Sequence, residues 1–351
     1  RIDWQLGADI EVEKVLTPES LGRLIRQTIG ERAFEIAWVT TYVFHERLAS
    51  RLRVGRVFLL GDAAHLMSPF GARGMNSGVQ DAADLAWKLW LVMNGRAPER
   101  LLDTYETERR AAAIENLQIT DASMQFITPQ SRARLLLRNA ILRVSVHLRW
   151  ARRWVNAGRL SMPFAYRASP IVDRRLRLPP LGKLLFSLPM LKASWRFWRG
   201  PSAGQIAPDA TYAAPGQPNS RARVIDLIGP HFLVLFFSDN PMLAARELRA
   251  ALANTSGVPI KPYVVTREPA PQPAPTSVGQ LFDDEGHFCR KFAAQSGTLY
   301  LIRPDGHIAT RGLEFPLSEL ADALRHAVGA ERSAPNPTAA SAGKEQPALA
   351  H

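Results

Sequence analysis

An apolar segment that ends in Gly61-Asp62 and continues through a glycine-rich loop into a helix constrains this 351-residue chain more than any other feature. The stretch from Arg56 to Leu89 reads RVFLLGDAAHLMSPFGARGMNSGVQDAADLAWKL. The run VFLL predicts a strand, so that Asp62 stands at its carboxyl end, where open α/β sheets bind ligands. An ionised aspartate is a hydrogen-bond acceptor only, which suits the hydroxyls of a ribose or ribityl chain.

The loop and the helix start after Asp62 predict a place for a planar, anionic group. Ser77 and Gln80 have the S-x-x-Q spacing of a capping box, which predicts a helix beginning at Asn76-Ser77. The positive end of the helix dipole stabilises an anion there. A polyhydroxy chain at Asp62 and an anion near Asn76 together describe a flavin. Backbone N–H groups of the loop can approach such a ligand closely because three of its residues lack side chains, namely Gly71, Gly74 and Gly78.

The same stretch has a purely structural interpretation, in which Asp62 caps a turn and the glycines only form a tight loop. For an isolated Gly-Asp pair that interpretation would be preferred, but strand, GD, AAH, glycine loop and helix in strict succession favour ligand binding. The apolar pattern of the helix predicts which residues it buries, namely Val79, Ala83, Ala86, Trp90 and Met93.

Composition narrows the class of protein. With 46% hydrophobic residues the chain can bury more than one core, and its longest apolar runs, such as FLVLFF at 232–237, are too short to span a bilayer. The single Cys289 excludes an internal disulfide and a CxxC cluster, and it suits a reducing cytosol. The histidines show no metal-binding spacing, so no metal site is predicted. The first residues do not resemble a signal peptide, and we predict a cytoplasmic protein.

Positive charge is concentrated in one segment. Sixteen Lys or Arg residues and a single acid, Asp173, lie between Ser131 and Gly200, in a chain whose net charge is +12. Such a segment could meet nucleic acid or an anionic membrane. A solvated helix face with salt bridges is the preferred interpretation, so we expect no nucleic-acid partner. The tryptophans of the segment are expected to pack or to form an interface rather than to stack on bases; they are Trp150, Trp154, Trp195 and Trp198.

The pattern along the chain predicts five segments and a tail. The α/β unit near the C-terminus is the clearest, with strands FLVLFF, PIKPYVV and TLYLIRPDGHIATRG and helices PMLAARELRAALAN and PLSELADALRHAVG. Near the N-terminus, RIDWQL and IAWVTTYVFHERL are strand-like, and PESLGRLIRQTIG predicts a helix that ends at Gly30. Asn94-Gly95 predicts the end of the helix that follows the glycine loop. The predicted boundaries are 1–55 for mixed strands and one helix, 56–130 for the motif and two helices, 131–203 for a basic helical region, 204–222 for a linker, 223–330 for the α/β unit and 331–351 for a disordered tail.

The stretch GDAAHLMSPFGARGMNSGVQDAADLAWKL resembles the second flavin-binding motif of the class A flavoprotein aromatic hydroxylases, the para-hydroxybenzoate hydroxylase family. LLDTYETERR is similar to the helix that follows in that family. PFGARGMNSG, FITPQSR and VNAGRLSMPF are most similar to the 3-(3-hydroxyphenyl)propionate hydroxylase branch, and LYLIRPDGHIATRG is similar to its thioredoxin-like C-terminal domain. That domain has no CxxC here, so we expect no disulfide exchange and a structural thiol at Cys289.

The resemblance implies an α/β fold: the C-terminal part of a FAD/NAD(P)-binding Rossmann-like domain, with part of a β-sheet substrate domain, followed by a thioredoxin-like α/β domain. Residues 1–55 would end the substrate-binding domain, 56–130 would be the C-terminal part of the FAD-binding domain, and 223–330 would be the thioredoxin-like domain. The implied activity is that of an FAD-dependent monooxygenase. With NAD(P)H and O₂ as co-substrates, it hydroxylates a phenolic aromatic acid through a flavin C4a-hydroperoxide.

The resemblance also implies which residues form the site. The Pro69 carbonyl would lie near the substrate hydroxyl, and Phe70 would wall the pocket. The segment IAWVTTYVFHER would be a strand of the substrate domain, with Trp38, Tyr42 and His45 lining the pocket. No catalytic residue is assigned. The implied cofactor contacts are Gly61, Asp62, Pro69, Gly71, Gly74, Met75 and Asn76.

Four further residues of the motif have expected roles. His65 is expected to pack behind the GDAAH turn rather than to act as a base. Arg73 is as well suited to a structural role as to supplying charge near the flavin. Glu108 and Arg109 are expected to hold the second helix in place by salt bridges.

One departure from the family limits these expectations. The G-x-G-x-x-G segment that holds the FAD pyrophosphate is absent, since the spacing of the loop glycines does not match it, and no mid-chain DG motif is seen. We therefore expect about 150–200 upstream residues to be missing, roughly a dinucleotide-binding half. The chain alone would then be inactive.

Two other functions stay open. A different flavoprotein monooxygenase or reductase, acting on a polyketide, quinone or isoprenoid, would share the GD motif. A non-catalytic module that binds a membrane or nucleic acid, or that mediates dimerisation, would depend on the basic residues 131–200. A homo-oligomer is compatible with either function.

Overall fold

The structure is a computed structural model that divides into two units, Arg1–His45 and Glu46–His351. The residues it describes are 1–4, 6, 10–69, 72–129, 131–148, 163–175, 177–179, 187–214, 217–253, 255, 257–268 and 277–330. The predicted tail, Trp150 and Trp154 lie outside these residues. Among the described residues, no helix is both long and apolar enough to cross a membrane.

The first unit contains two helices, α1 (Val12–Val15) and α2 (Pro18–Ile29). Thr17 caps α2 by accepting a hydrogen bond from the N–H of Ser20, and Gly30 ends it with a φ of +73°. The predicted helix and its stop at Gly30 are therefore confirmed.

The strands predicted in the first 45 residues are wrong. The described residues of RIDWQL form no strand, and residues 31–45 contain neither helix nor strand. A run of β-branched and aromatic residues forms a strand only where a partner strand and a packed face are available. Within this unit, the described residues provide no strand to pair with it.

The second unit begins with four short strands in two antiparallel pairs. The strand β1 (Arg47–Leu48) pairs with β4 (His65–Leu66), and β2 (Arg53–Val54) pairs with β3 (Val57–Phe58). The run VFLL is a strand only over β3, shorter than predicted, because β2 offers just two residues for pairing.

Four helices follow among the residues that the structure describes. They are α3 (Arg73–Met93), α4 (Asp103–Ile127), α5 (Arg132–His147) and α6 (Leu188–Arg199). The helix α3 ends where Asn94-Gly95 predicts, with Gly95 at a φ of +65°. The tryptophans Trp195 and Trp198 on α6 are exposed rather than packed, and Trp195 contacts the guanidinium of Arg199 at 4.5 Å.

A seven-stranded sheet forms the rest of the unit. Its spatial order is β11-β10-β7-β8-β9-β5-β6, with β8 parallel to both of its neighbours and the other pairs antiparallel. The segment β11-β10-β7-β8 has the order of a thioredoxin-like fold. The strands are β5 (Thr211–Ala214), β6 (Gln217–Arg223), β7 (Phe232–Phe237), β8 (Ile260–Thr266), β9 (Gly279–Phe282), β10 (Leu299–Ile302) and β11 (Ile308–Gly312).

Three helices accompany the sheet: α7 (Pro241–Leu252), α8 (His287–Phe292) and α9 (Leu320–Ala327). The predicted strands β7, β8, β10 and β11 and the helices α7 and α9 are confirmed, whereas β9 and α8 were not predicted. The predicted hairpin turn at 304–306 is also present, with Gly306 at a φ of +84°.

The linker predicted at 204–222 is wrong, because β5 and most of β6 lie there. Its Gly and Pro content indicated a loop. However, β6 is an edge strand, where proline is tolerated. The segment before β5 is also bound to the sheet, since the N–H groups of Gly204 and Ala207 donate to the carbonyls of Ile308 and Gly306.

The strand β7 is buried on both faces and divides the core in two. Phe232, Val234 and Phe236 face one cluster, and the intervening residues face the other. The first cluster includes Trp87 of α3, whose ring meets that of Phe232 edge-on at 5.6 Å. The predicted segments 56–130 and 223–330 therefore share a continuous core within the second unit.

Candidate functional site

The Gly-Asp turn is held tightly against α3. Gly61 begins a short 3₁₀ turn, Gly61–Ala63, with a φ of +59°, and its N–H donates to Asp81 Oδ2 at 2.8 Å. A Cβ at Gly78 would lie 3.3 Å from the Cα of Gly61, so glycine at position 78 permits this close approach. Asp62 follows on the exposed side of the turn.

Asp81 is the centre of a buried network that sequence reasoning missed. Its Oδ2 also accepts a hydrogen bond from His65 Nε2 at 2.8 Å, and its Oδ1 accepts one from Arg109 Nε at 2.6 Å. Burial alone would raise the pKa of Asp81, but the hydrogen bond from His65 and the charge of Arg109 hold it below its usual value. Arg109 continues the network to the Tyr166 hydroxyl at 2.8 Å.

These contacts agree with two of the expected structural roles. His65 is buried behind the turn, and Arg109 ties α4 to α3 by a salt bridge with Asp81. The i, i+3 acids Asp81 and Asp84 in VQDAADLAWKL were the available signal, because acids within an otherwise apolar helix need buried partners.

The helix start differs from the prediction. The helix α3 begins at Arg73, preceded by Ala72 in the left-handed region at a φ of +51°, and no side chain caps it. The predicted capping box is wrong because Ser77 lies inside the helix and accepts a hydrogen bond from Arg109 instead. Asn76 lies in the second turn, is exposed, and donates its side-chain amide to the Ala72 carbonyl at 2.9 Å.

The buried stripe predicted for α3 is also wrong. Its five residues lie on the exposed face, with Val79 63% and Met93 80% exposed. The buried face is polar and charged, because α4 and the C-terminal sheet supply partners for it. Its residues include Ser77, Asp81, Asp84, Leu85, Trp87, Lys88 and Leu91.

The other predicted flavin contacts are placed as follows. Gly74 and Met75 lie in the first turn of α3, and Met75 is exposed. Pro69 is exposed, and its carbonyl accepts the N–H of Ala72 at 3.1 Å. Phe70 and Gly71 lie outside the described residues.

Arg73 has a structural environment. It is buried and donates a hydrogen bond to Asn116 Oδ1 on α4. Burial lowers its pKa, and the carboxylate of Glu115 opposes that change. This guanidinium therefore links the start of α3 to α4.

The residues nominated for the substrate pocket are not assembled into one. Trp38 is 72% exposed, Tyr42 is 64% exposed, and His45 is exposed as well. They lie in the irregular stretch 31–45, so the predicted alternation along a strand is absent. Their role stays a prediction.

A second buried cluster joins α3 and α4 to the C-terminal sheet. We call it the ion cluster and define it as Asp84, Lys88, Glu108, Arg303 and Asp305. Burial opposes ionisation of Glu108, but Arg303 and Lys88 hold its pKa far below the usual range. Burial raises the pKa of Asp84, and the charge of Lys88 opposes that rise.

The three carboxylates of the ion cluster lie within 4.8 Å of one another, as ligands of a metal ion would. Their oxygens are taken by Lys88 and Arg303, which supply the compensating positive charge. The cluster is therefore a set of ion pairs between side chains. Sequence reasoning could not detect it, since Asp84 and Arg303 are separated by 219 positions.

An open groove of about 670 Å³ lies elsewhere on the second unit. It contains none of the predicted flavin or substrate residues. Its lining includes Arg51, Arg53, Asp103, Glu106 and Arg110. Arg53 pairs there with Glu99 and Asp103, so part of this charge is already neutralised.

Cys289 has the environment of a structural thiol. Burial, followed by the contact with Asp283, raises its pKa to about 12. Such a thiol carries little thiolate near neutral pH and is a poor nucleophile.

Two parts of the chain match known protein families. Residues 3–120 match the FAD binding domain family, and residues 216–327 match the HcaD C-terminal domain family. The first match contains the GD turn and the start of α3, and the second contains most of the seven-stranded sheet.

Curated relatives and solved structures agree with these matches. The chain is 32% identical over 327 residues to 4-methyl-5-nitrocatechol 5-monooxygenase from Burkholderia sp, covering 90% of this chain and 52% of that protein. It is 27% identical over 322 residues to 3-(3-hydroxy-phenyl)propionate/3-hydroxycinnamic acid hydroxylase from Klebsiella pneumoniae (strain 342), covering 89% and 53%. The crystal structure of a ternary complex of aklavinone-11 hydroxylase with FAD and aklavinone is similar with a TM-score of 0.60 at 27% identity, covering 91% of this chain and 52% of that one.

The chain thus carries a segment of the FAD binding domain family and a HcaD C-terminal domain, and over most of its length it is similar to aromatic monooxygenases, as the GDAAH motif predicts. The prediction of an FAD-binding segment within a mixed α/β fold is confirmed. The chain spans about half the length of the curated relatives it matches.

Proposed function

We propose that the protein containing this chain is an FAD-dependent monooxygenase that hydroxylates a phenolic aromatic acid, with O₂ and NAD(P)H as co-substrates. The observation that carries the proposal is the exposed carboxylate of Asp62. It stands on a turn fixed to α3, inside a segment that matches the FAD binding domain family.

Asp62 fits the ribityl chain of FAD. Nearby carboxylates are engaged: Asp81 is bound by Arg109 and His65, and Asp84 by Lys88. Within the part of the chain that the structure describes, no donor binds the Asp62 carboxylate. An exposed carboxylate on a rigid turn is suited to accept hydrogen bonds from ligand hydroxyls.

The start of α3 fits the anionic edge of the flavin ring. The first four N–H groups of a helix have no intrahelical acceptor, and Ala72 offers no side-chain oxygen to them. The amides of the first turn, around Gly74 and Met75, are therefore suited to bind an anion together with the helix dipole. Asn76 is the next residue of the helix and is exposed as well.

Bound FAD supplies the transfer of electrons from NAD(P)H and the activation of O₂. The residues of this chain hold and orient the reactants. A carbonyl oxygen has two lone pairs, so the Pro69 carbonyl can accept a substrate hydroxyl while it keeps its bond to the Ala72 N–H. That contact would direct the phenol ring toward the helix start. The need for NAD(P)H and the single, unpaired cysteine support a cytoplasmic location.

The substrate class is proposed from the relatives. The names of two of them specify a nitrocatechol and a hydroxyphenylpropionate, which are both small phenolic rings. A larger fused-ring substrate is the second candidate, because the similarity to aklavinone-11 hydroxylase, at 27% identity and a TM-score of 0.60, extends over 91% of the chain.

The test uses the protein expressed from its complete reading frame. FAD binding is measured by quenching of flavin fluorescence, and oxidation of NADH and of NADPH is followed with 3-(3-hydroxyphenyl)propionate, 4-methyl-5-nitrocatechol or aklavinone. Product formed under ¹⁸O₂ is analysed by mass spectrometry. Stimulated oxidation with one labelled oxygen in a small phenol supports the main proposal, and labelled aklavinone product supports the second candidate. A protein that binds no FAD contradicts both.

A further inference from the structure

The ion cluster joins two segments that match different families. Asp84 and Lys88 lie on α3 and Glu108 lies on α4, all within the FAD binding domain match. Arg303 and Asp305 lie in the β10–β11 turn, within the HcaD C-terminal domain match. The five side chains are at most 3% exposed, so their interactions are shielded from water and salt.

Arg303 is the member that connects the two segments. Its NH2 group donates to Asp84 Oδ1 at 2.8 Å and to Glu108 Oε2 at 2.8 Å, and its NH1 group donates to Glu108 Oε1 at 2.6 Å. Its Nε donates to Asp305 Oδ1 at 3.1 Å, which fixes the guanidinium within its own turn. A planar fork that makes bidentate contact with a carboxylate is specific in direction as well as in distance.

Two aromatic rings also contact the guanidinium of Arg303. The rings of Trp87 and Tyr166 each lie 5.2 Å from its central carbon. On the far side of the carboxylates, Lys88 donates to Asp84 and Glu108, both at 2.7 Å. Every carboxylate of the ion cluster is thus paired with at least one cation. These ion pairs hold α3 and α4 together at Asp84, Lys88 and Glu108.

The ion cluster holds α3, which is the same helix that carries the proposed flavin contacts. Asp84 lies less than one turn after Asp81, which holds the N–H of Gly61, and about 12 Å along the helix from Asn76. A helix of this length transmits a small displacement over such a distance because its packed side chains do not deform freely. A shift at Arg303 would therefore move both the GD turn and the first turns of α3.

We propose that Arg303 is a positioning residue for the flavin site: through the ion cluster it fixes α3, and with α3 the Gly61-Asp62 turn and residues 74–76. The inference rests on the proposed function for its consequence, which is FAD affinity. It assigns the thioredoxin-like part a role that needs no redox-active cysteine, namely to hold the flavin segment in its binding geometry.

The experiment compares four forms of the protein expressed from its complete reading frame: wild type, Arg303→Met, Arg303→Lys and the control Arg249→Met. Arg249 is an exposed arginine on α7 of the same C-terminal part. Amide hydrogen exchange is measured over residues 61–81 without FAD, and the FAD dissociation constant is measured by fluorescence quenching. Thermal unfolding is recorded in parallel, so that a loss of global stability is seen separately.

Arg303→Met is expected to speed exchange of the amides over 61–81 and to weaken FAD binding by about tenfold, the usual size of coupling through a packed network. Arg303→Lys keeps the charge but not the fork and should lie between Arg303→Met and wild type. Arg249→Met should match wild type in both measurements. If Arg303→Met does not yield folded protein, Arg303→Lys and Asp305→Asn are compared with wild type in the same way.

A lower melting temperature with unchanged exchange over 61–81 and FAD affinity within twofold of wild type would overturn the proposal, because Arg303 would then stabilise only its own surroundings. Wild type that binds no FAD contradicts the proposed function instead. In that case the exchange comparison alone decides whether Arg303 fixes the GD turn.

Discussion

Asp81 Oδ2 accepts the backbone N–H of Gly61 at 2.8 Å, across 20 positions of sequence. The same carboxylate binds Arg109 Nε at 2.6 Å through its other oxygen. One buried side chain on α3 thereby joins the GD turn to α4. The position of Asp62, the residue on which the proposed function depends, is therefore set by a buried carboxylate on α3.

Asp81→Asn tests the structural importance of this carboxylate. The change leaves the buried guanidinium of Arg109 without its charge partner. We expect the free energy of unfolding to fall by about 3–5 kcal/mol, as for other buried pairs that lose one member. Urea denaturation measures the loss. The exposed Asp239→Asn should change the unfolding free energy by less than about 0.5 kcal/mol, and an equal loss in both variants would contradict the expectation.

The pH dependence of stability follows from the same residue. Because the pKa of Asp81 in the folded protein lies below its unfolded value of about 3.9, its contribution to stability is complete above that value and is lost as the pH falls through the folded pKa. Wild type should therefore lose stability below about pH 4 at a slope of up to about 1.4 kcal/mol per pH unit for this group. Urea midpoints between pH 3 and pH 6 should show a shallower slope for Asp81→Asn. If the urea midpoints of wild type and Asp81→Asn fall in parallel as the pH is lowered, other carboxylates cause the loss of stability in acid.

Asp62→Asn tests the proposed ligand contact directly. The amide keeps the shape of the side chain but loses the charge that strengthens hydrogen bonds to hydroxyls, a difference of about 1–1.5 kcal/mol. FAD affinity should drop about 5- to 10-fold. The melting temperature without FAD should stay the same, because Asp62 is exposed and unbound within the described structure. Equal FAD dissociation constants for wild type and Asp62→Asn would show that Asp62 is not part of the FAD site.

The features of the fold that the sequence predicts correctly are those that depend on local signals. Gly30 and Asn94-Gly95 end their helices as expected, and the apolar run FLVLFF and the turn at 304–306 predict the C-terminal strands correctly. Each of these features depends on residues close together in sequence. Helix-ending residues, turn residues and apolar runs therefore predict such features well.

The orientation of α3 could not be predicted, because two stripes of the helix have the same period. Val79, Ala83, Ala86 and Trp90 follow the helical repeat, and so do Ser77, Asp81, Asp84 and Lys88. The polar stripe is the buried one because Arg109 and Arg303 meet it from distant parts of the chain. Ser77 was interpreted as a cap for the same reason, since its partner on α4 lies 32 positions away.

Gly78→Ala probes the contact between α3 and the GD turn. Alanine favours the helix by about 1 kcal/mol, but its Cβ would lie 3.3 Å from Gly61 Cα, and the backbone there must yield by a few tenths of an ångström. We expect FAD affinity to fall several-fold, by about 1 kcal/mol, with little change in unfolding free energy, because the two effects on stability oppose one another. In Gly22→Ala the nearest atom is 3.6 Å away, so this helix should only be stabilised. If Gly78→Ala and wild type have the same FAD dissociation constant, the GD turn accommodates the methyl group without a loss of affinity.

Cys289 should react slowly with thiol reagents in the folded protein. With a pKa of about 12, its thiolate fraction at pH 8 is about 10³-fold lower than that of a free cysteine, whose pKa is about 8.5. Partial burial adds a steric barrier, so labelling by Ellman's reagent should be at least about 100-fold slower than in guanidinium-unfolded protein. The chain has one cysteine, so the absorbance change reports this site alone. Labelling at the unfolded rate at pH 8 would mean that the thiol is exposed and ionised, and the structural role would be wrong. A labelling rate that rises about tenfold per pH unit from pH 8 to pH 11, without levelling off near the free-cysteine pKa of about 8.5, would confirm that the raised pKa, rather than access alone, protects the thiol.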